Sequence, residues 1–200
     1  MDFNKYFFNF FASFTIVLRR FFYLLFSPYK TMRKIALDKD KSQVFIILGF
    51  VLLYFYASGM FKENIFIYYL AFLFNFSFTI LFFYILAKFF KKDIALSSFI
   101  TTFSYSLFPT LVWFVINLTL YLVLPPPRTT SILGKSFSIF FISFSLALFF
   151  WKIILTYLAL RFSTRMHFYR IAYFIILYGL YIIPFAYLMY NLGISKIPFI

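Results

Sequence analysis

Five stretches of the chain run apolar without an acidic side chain: Val44–Phe61, Ile65–Ala87, Phe99–Leu124, Phe137–Leu160 and Ile171–Tyr190. Each is long enough to cross a hydrocarbon core about 30 Å thick, which takes about 17 to 25 helical residues. The runs are continuous rather than alternating with period two, which excludes membrane-barrel strands. Lys152 is the single basic residue inside any of them. The pattern predicts an all-α fold: a polytopic membrane helical bundle with five transmembrane helices.

The connections are short. Lys62-Glu63-Asn64 predicts a tight turn, Lys88–Asp93 a basic second loop, Pro125-Pro126-Pro127-Arg128 a proline-stiffened third, and Arg161–Arg170, with His167, the fourth. Ahead of the first span, Asp2, Lys5, Asn9, Ser13, Arg19/Arg20 and Ser27 fall on one stripe of a helix that is otherwise Phe, Leu and Tyr. That pattern predicts an N-terminal interfacial amphipathic helix, its arginines toward anionic headgroups. A sixth, spanning or re-entrant helix over residues 6–26 is the rival reading. Ser27-Pro28 breaks the helix, and Tyr29–Lys41 follows as a basic cytoplasmic segment. The organisation is then a cytoplasmic and interfacial segment (1–43), a five-helix membrane domain (44–190) and a short external tail (191–200).

Composition sharpens this picture. Hydrophobic residues make up 64% of the 200 and charged ones 12%, against about half and about a quarter in globular domains. A core of this chain length cannot bury such a surplus, so the surrounding medium is lipid. No cysteine, one histidine and five carboxylates leave no material for a metal centre, and no cofactor is expected. The net charge of +14 would point to nucleic acid in a soluble protein; in short membrane loops it marks sidedness, and no nucleic-acid partner is expected. With the N-terminus cytoplasmic, fourteen Lys and Arg lie inside and four outside, which places the C-terminus outside. The 37 Phe and 17 Tyr read as lipid-facing filler with interfacial belts.

Within the spans, small and polar residues recur at helical spacing: Ala172, Gly179 and Ala186; Ala71, Asn75 and Thr79; Ser138, Ser145, Lys152 and Ala159. The third span is polar over one half, through Thr101, Tyr105 and Pro109, with Asn117 further on. Helix–helix packing explains such stripes. The functional alternative is an intramembrane polar groove between the second, third and fourth spans, lined by Lys152, Ser145, Asn75, Thr101, Tyr105, Pro109 and Asn117. Lys152 either snorkels or takes an acceptor from carbonyls, Asn75, Asn117 or a tyrosine, since no span carries a carboxylate. Arg19, Arg20, Arg33 and Lys34 are the headgroup-binding candidates. No H-E-x-x-H, G-x-S-x-G or Walker pattern occurs, and no catalytic residue is expected.

Phe26-Ser27-Pro28 before a basic stretch, the basic turn Phe89–Asp93, the third-span run Phe103-Ser104-Tyr105-Ser106-Leu107-Phe108-Pro109, and the fourth loop leading into Arg170-Ile171-Ala172 together resemble the Yip1 domain family of small five-span membrane proteins. The chain lacks that family's eukaryotic acidic Asp-Leu-Tyr-Gly-Pro motif, so small-GTPase partners are not implied, and it is more similar to prokaryotic members. The resemblance implies a non-enzymatic accessory or scaffold of the cell inner membrane. It acts by helix-mediated association with lipids or membrane proteins, ABC-type transporter subunits among them. The alternative is a small transporter or permease-associated subunit built around the polar groove.

Overall fold

The fold is described from a computed structural model, which places residues 3–38, 40–59, 65–90, 94–123 and 132–191. Among these residues every regular element is an α-helix: α1 (Phe3–Phe26), α2 (Pro28–Leu37), α3 (Ser42–Ser58), α4 (Ile65–Phe90), α5 (Leu96–Ser106), α6 (Phe108–Val123), α7 (Ile132–Thr164) and α8 (Phe168–Asn191). The expected turn at Lys62–Asn64, the end of the basic second loop, the triple-proline loop and most of the tail lie outside the described residues.

Prolines set two of the breaks. Pro28 opens α2 and pushes Ser27 out of helical geometry, to φ −143° and ψ 64°. Pro109 has no N–H to give to the Tyr105 carbonyl and its ring crowds that oxygen, so the third apolar run divides at Leu107 into α5 and α6. Thr101 and Ser106 of α5 bond back to their own helix, to Ser97 O at 2.9 Å and to Phe103 O at 2.7 Å. Those bonds satisfy carbonyls without opening the polar face to water.

Four helical segments are long and apolar enough to cross a membrane: Phe66–Phe90, Leu96–Leu120 (α5 and α6 together), Gly134–Thr164 and Phe168–Met189. The chain is accordingly read as a membrane protein. The expected first span, α3, is apolar but has 17 residues, a length of about 25 Å at 1.5 Å per residue, short of the full hydrocarbon thickness.

The broken α5–α6 rod is the centre of the bundle. In its most apolar window 78% of residues are buried, against 11% in α7 and α8. Phe103 of α5 stacks on Phe83 of α4 at 5.4 Å and on Phe99 at 5.6 Å, while Tyr54 of α3 lies flat on Phe114 of α6 at 3.9 Å. This corrects the reading of the aromatic excess as lipid-facing filler: Phe83, Phe99, Phe103, Phe114 and Tyr105 are among the largest fully buried side chains. Flat rings fill an inter-helix seam densely and lose only two torsions each on burial, so they serve the core as well as the lipid face.

One end of the bundle gathers α2, the start of α5, the end of α4 and the α7–α8 turn. Ser98 Oγ donates to Ala36 O at 2.9 Å, Tyr29 packs edge-on against Phe162 at 4.9 Å, and Arg170 lies 5.7 Å from the Phe90 ring. Helix α1 runs across α3 rather than along it. Ser13 and Arg20, seven residues and about 10 Å apart on α1, both reach residues 40–43, and Phe14 and Phe21 both meet Phe50.

Candidate functional site

The residues of the expected groove do not converge on one space. Lys152 and Asn75 do come together, lining a cavity of about 190 Å³ with Thr156, Tyr178 and Gly179, but its walls are α4, α7 and α8. The third span contributes nothing to it. Thr101 is buried and bonded to its own helix, Tyr105 is held at the α1–α3 junction described below, and Pro109 is enclosed at the α5–α6 break. Ser145 accepts from Trp113 Nε1 at 3.1 Å across the α6–α7 contact, and Asn117 Nδ2 reaches Tyr54 OH at 3.5 Å between α6 and α3. The cavity that joins Lys152 and Asn75 therefore lies between α4, α7 and α8, without the helices of the third expected span.

The cavity sits deep in the helices. Lys152 is about 18 Å along α7 from Thr164, Asn75 about 22 Å along α4 from Phe90, and Tyr178 about 15 Å along α8 from Phe168. Tyr178 OH and Thr79 Oγ1 share a hydrogen bond of 2.8 Å that ties α8 to α4, and Thr79 also bonds Asn75 O at 2.7 Å. The Asn75 side chain is 9% exposed, and its Oδ1 has no hydrogen-bond partner. Gly179 was expected to mark a close helix contact. A Cβ there would meet nothing within 4 Å, so the glycine opens onto the cavity instead. A second cleft, of about 650 Å³ between α1, α3 and α6, is lined by aromatic and aliphatic side chains such as Phe50, Leu53 and Leu111.

A densely bonded polar cluster lies elsewhere, where α1 crosses α3. Gln43 is fully buried at the start of α3, and all four valences of its amide are used. Its Oε1 accepts from Arg20 Nη1 at 2.5 Å and from Tyr105 OH at 2.7 Å; its Nε2 donates to Asp38 at 3.0 Å and Asp40 at 3.1 Å. Arg20 pairs with Asp38 at 2.7 Å and lies 5.8 Å from the Tyr105 ring, while Ser13 Oγ donates to Asp40 at 2.7 Å. Asp40 also accepts from Ser42 N at 3.0 Å, capping the first turn of α3. Burial pushes both carboxyls up in pKa, but the bonds from Gln43 and Arg20 to Asp38, and from Ser13, Gln43 and Ser42 to Asp40, outweigh it and hold both below the ordinary aspartate range. This cluster fastens α1, the α2–α3 connection, α3 and α5 together.

Sequence reasoning did not find this clasp. It put Ser13 and Arg20 on one face correctly and aimed that face at headgroups, whereas the structure turns both inward. Arg19, Arg33 and Lys34 are exposed; Arg20 is engaged by the protein. The available signal was Asp38, Asp40 and Gln43 within six positions at the mouth of an apolar run, which is where a charged stripe on a neighbouring helix finds partners. No group of three or more metal-ligating side chains occurs among the described residues. No protein-family model, curated protein or solved structure matches the chain.

Proposed function

We propose that this is a non-enzymatic, multi-pass protein of the cytoplasmic membrane that works as an accessory or scaffold, holding other membrane proteins or lipids by lateral helix contact, as its resemblance to prokaryotic Yip1 domain proteins implies. The observation that carries this reading is the disposition of α7 and α8. Both are long and largely apolar, α7 carrying Lys152 at mid-length, yet most of their residues are not buried and Ile139, Phe140, Ile142 and Ile183 face outward. The exposed face that such helices leave is open to a partner helix, where van der Waals packing drives association in lipid.

On this reading α3 is a fifth, short crossing and α1 lies along the inner interface, which its transverse path across α3 favours. The exposed cations Lys30, Arg33, Lys34, Lys41, Lys88, Arg161, Arg165 and Arg170 belong to the segments that gather at one end of the bundle, and that end is assigned to the cytoplasm. ABC-type transporter subunits are the partner class the resemblance implies. The test is photo-crosslinking in native membranes from Ile139, Phe140, Ile142 and Phe150. One defined membrane protein captured from this face supports a protein scaffold, and lipid adducts alone at every position overturn the protein-partner reading in favour of association with lipid. A transport role has one observation in its favour, the cavity at mid-depth. It requires a cysteine at Asn75 to react with membrane-impermeant reagent from each side in turn.

A further inference from the structure

We propose that Arg161, Tyr157 and Tyr29, where α2 meets the end of α7, hold the phosphate of an anionic phospholipid with an uncharged headgroup, one acyl chain of which lies along the α7 stripe of Ile154 and Phe150. The binding needs only that this end of the bundle meets a membrane surface, not a protein partner. Three features of this surface select that chemistry. The first is the guanidinium itself. Arg161 is exposed in the last turn of α7, where a long side chain would ordinarily sweep through water. Here its Nη1 donates to Tyr157 OH at 2.7 Å, one turn back on α7, and its Cζ lies 6.0 Å from the centre of the Tyr29 ring on α2. Both rings are held in turn, Tyr29 edge-on against Phe162 at 4.9 Å and Tyr157 against Phe168 of α8 at 5.6 Å. Side chains of α2, α7 and α8 thus set the plane of an exposed guanidinium, and a fork fixed in advance gives up less freedom when it takes a phosphate.

The second feature is the set of donors. The bond to Tyr157 uses one N–H of Arg161, and the guanidinium carries others in a planar fork that matches two oxygens of a phosphate. Tyr157 OH accepts in that bond, which leaves its own proton to donate to a phosphate oxygen beside the fork. Lys30 follows Tyr29 in the chain, and Arg165, whose N–H bonds Arg161 O at 2.9 Å, follows one turn after the guanidinium; both are exposed. Their charges make the local field positive, which repels the ammonium of a zwitterionic lipid and favours a phosphodiester whose headgroup is uncharged. The third feature is apolar. Arg161, Tyr157, Ile154 and Phe150 follow one another at intervals of four, three and four residues, which puts them on one face of α7. Ile154 is 51% exposed and Phe150 56%, about 10 and 16 Å along the helix from Arg161. A lipid with its phosphate at Arg161 lays its chain along this stripe, toward the middle of the membrane.

The experiment uses the full chain in phosphatidylcholine nanodiscs containing a little phosphatidylglycerol with a photoactivatable group midway along one acyl chain, its adducts mapped by peptide mass spectrometry. Adducts are expected at Ile154 and Phe150, displaced by unlabelled phosphatidylglycerol and not by added phosphatidylcholine. Arg161→Gln should lower this labelling about tenfold, because a charge-assisted bond to phosphate is lost, and Tyr157→Phe about threefold. Arg161→Lys separates a shaped site from a general positive field, since it keeps the charge and loses the fork: its labelling should stay about fivefold or more below wild type. Size exclusion and circular dichroism on each variant separate loss of binding from loss of fold. Wild-type labelling in Arg161→Lys overturns the proposal as surface electrostatics, and displacement by phosphatidylcholine as strong as by phosphatidylglycerol overturns it as unselective solvation by the bilayer. Displacement by inorganic phosphate assigns the site to the free anion and overturns the lipid. Capture of a membrane protein from Ile139, Phe140 and Ile142, about 28 Å or more along α7 from Arg161, is independent of these results, so the two readings fail separately.

Discussion

Replacing Gln43 with leucine strands the Tyr105 hydroxyl, leaves the Arg20 guanidinium with Asp38 alone, and takes one donor from each of Asp38 and Asp40. A buried polar group left unpaired costs about 1 to 3 kcal/mol. Arg20 and Asp38 keep partial solvent access, so Gln43→Leu should cost about 2 to 4 kcal/mol, read as a lower melting temperature in detergent. Tyr105→Phe removes one donor and leaves Oε1 with Arg20, so about 1 kcal/mol is expected. Equal melting of Gln43→Leu and wild type would mean that water takes over the role of the amide. The clasp also sets a pH dependence. Both carboxyls titrate below their unfolded value of about 3.9. Their contribution is therefore fully present above about pH 4 and is lost as pH falls through the depressed folded values. The melting temperature should fall on acidification below about pH 4, and less steeply in Asp38→Asn.

Helix α1 is a case where the face was legible and its direction was not. Periodicity puts Ser13, Val17, Arg20, Phe21 and Leu24 on one side of α1 whatever surrounds it. Whether that side meets lipid or protein depends on Asp38 and Asp40, which reach it only after α2 turns the chain back. The two adjacent arginines therefore have different jobs. Arg19→Glu should weaken the contact of α1 with anionic lipid by about 1 kcal/mol per unit charge and leave melting unchanged. A fluorophore at the exposed position Thr15, quenched by a label on anionic lipid, reports that contact. Arg20→Glu sets a third carboxylate beside Asp38 and Asp40, so it should lower the melting temperature and increase the mobility of α1. If both variants behave alike, α1 is held by headgroups and not by the clasp. The α5–α6 break has a local cause, since Pro109 lacks the N–H, although the pattern of apolar residues there reads as one span over Phe99–Leu124.

For the molecule as a whole, the zigzag of helices brings the ends of α2, α4 and α7 to one level, and basic segments distant in sequence become neighbours there. Single cysteines at the exposed positions Arg33, Lys88 and Arg165 should label from one side of the membrane, and one at Lys135 from the other. Labelling of Lys88 and Arg165 from opposite sides would rule out an even number of crossings between them. The same assembly decides which intramembrane polar residues meet. Lys152 and Ser145 lie on one stripe of α7, seven residues apart, yet Ser145 faces α6 while Lys152 faces α4 and α8, because each neighbour covers only part of a long helix.

Helical class, the apolar character that points to lipid, and the break at Ser27-Pro28 follow from the chain alone, since each depends on a local run of residues; of the five spans expected, four are long enough in the structure and the first is the shorter α3. Lys152 and Asn75 were likewise recognisable as unusual, because a polar side chain in an apolar run is costly wherever it points. Tertiary structure alone decided what each polar residue meets. The Gln43 clasp joins residues 13, 20, 38, 40, 43 and 105, and the cavity joins residues 75, 152 and 178. Such long-range pairings are set by how helices turn about their axes to fill space with rings, and a rotation of one residue, about 100° at 3.6 residues per turn, would change which positions meet lipid and which meet a partner.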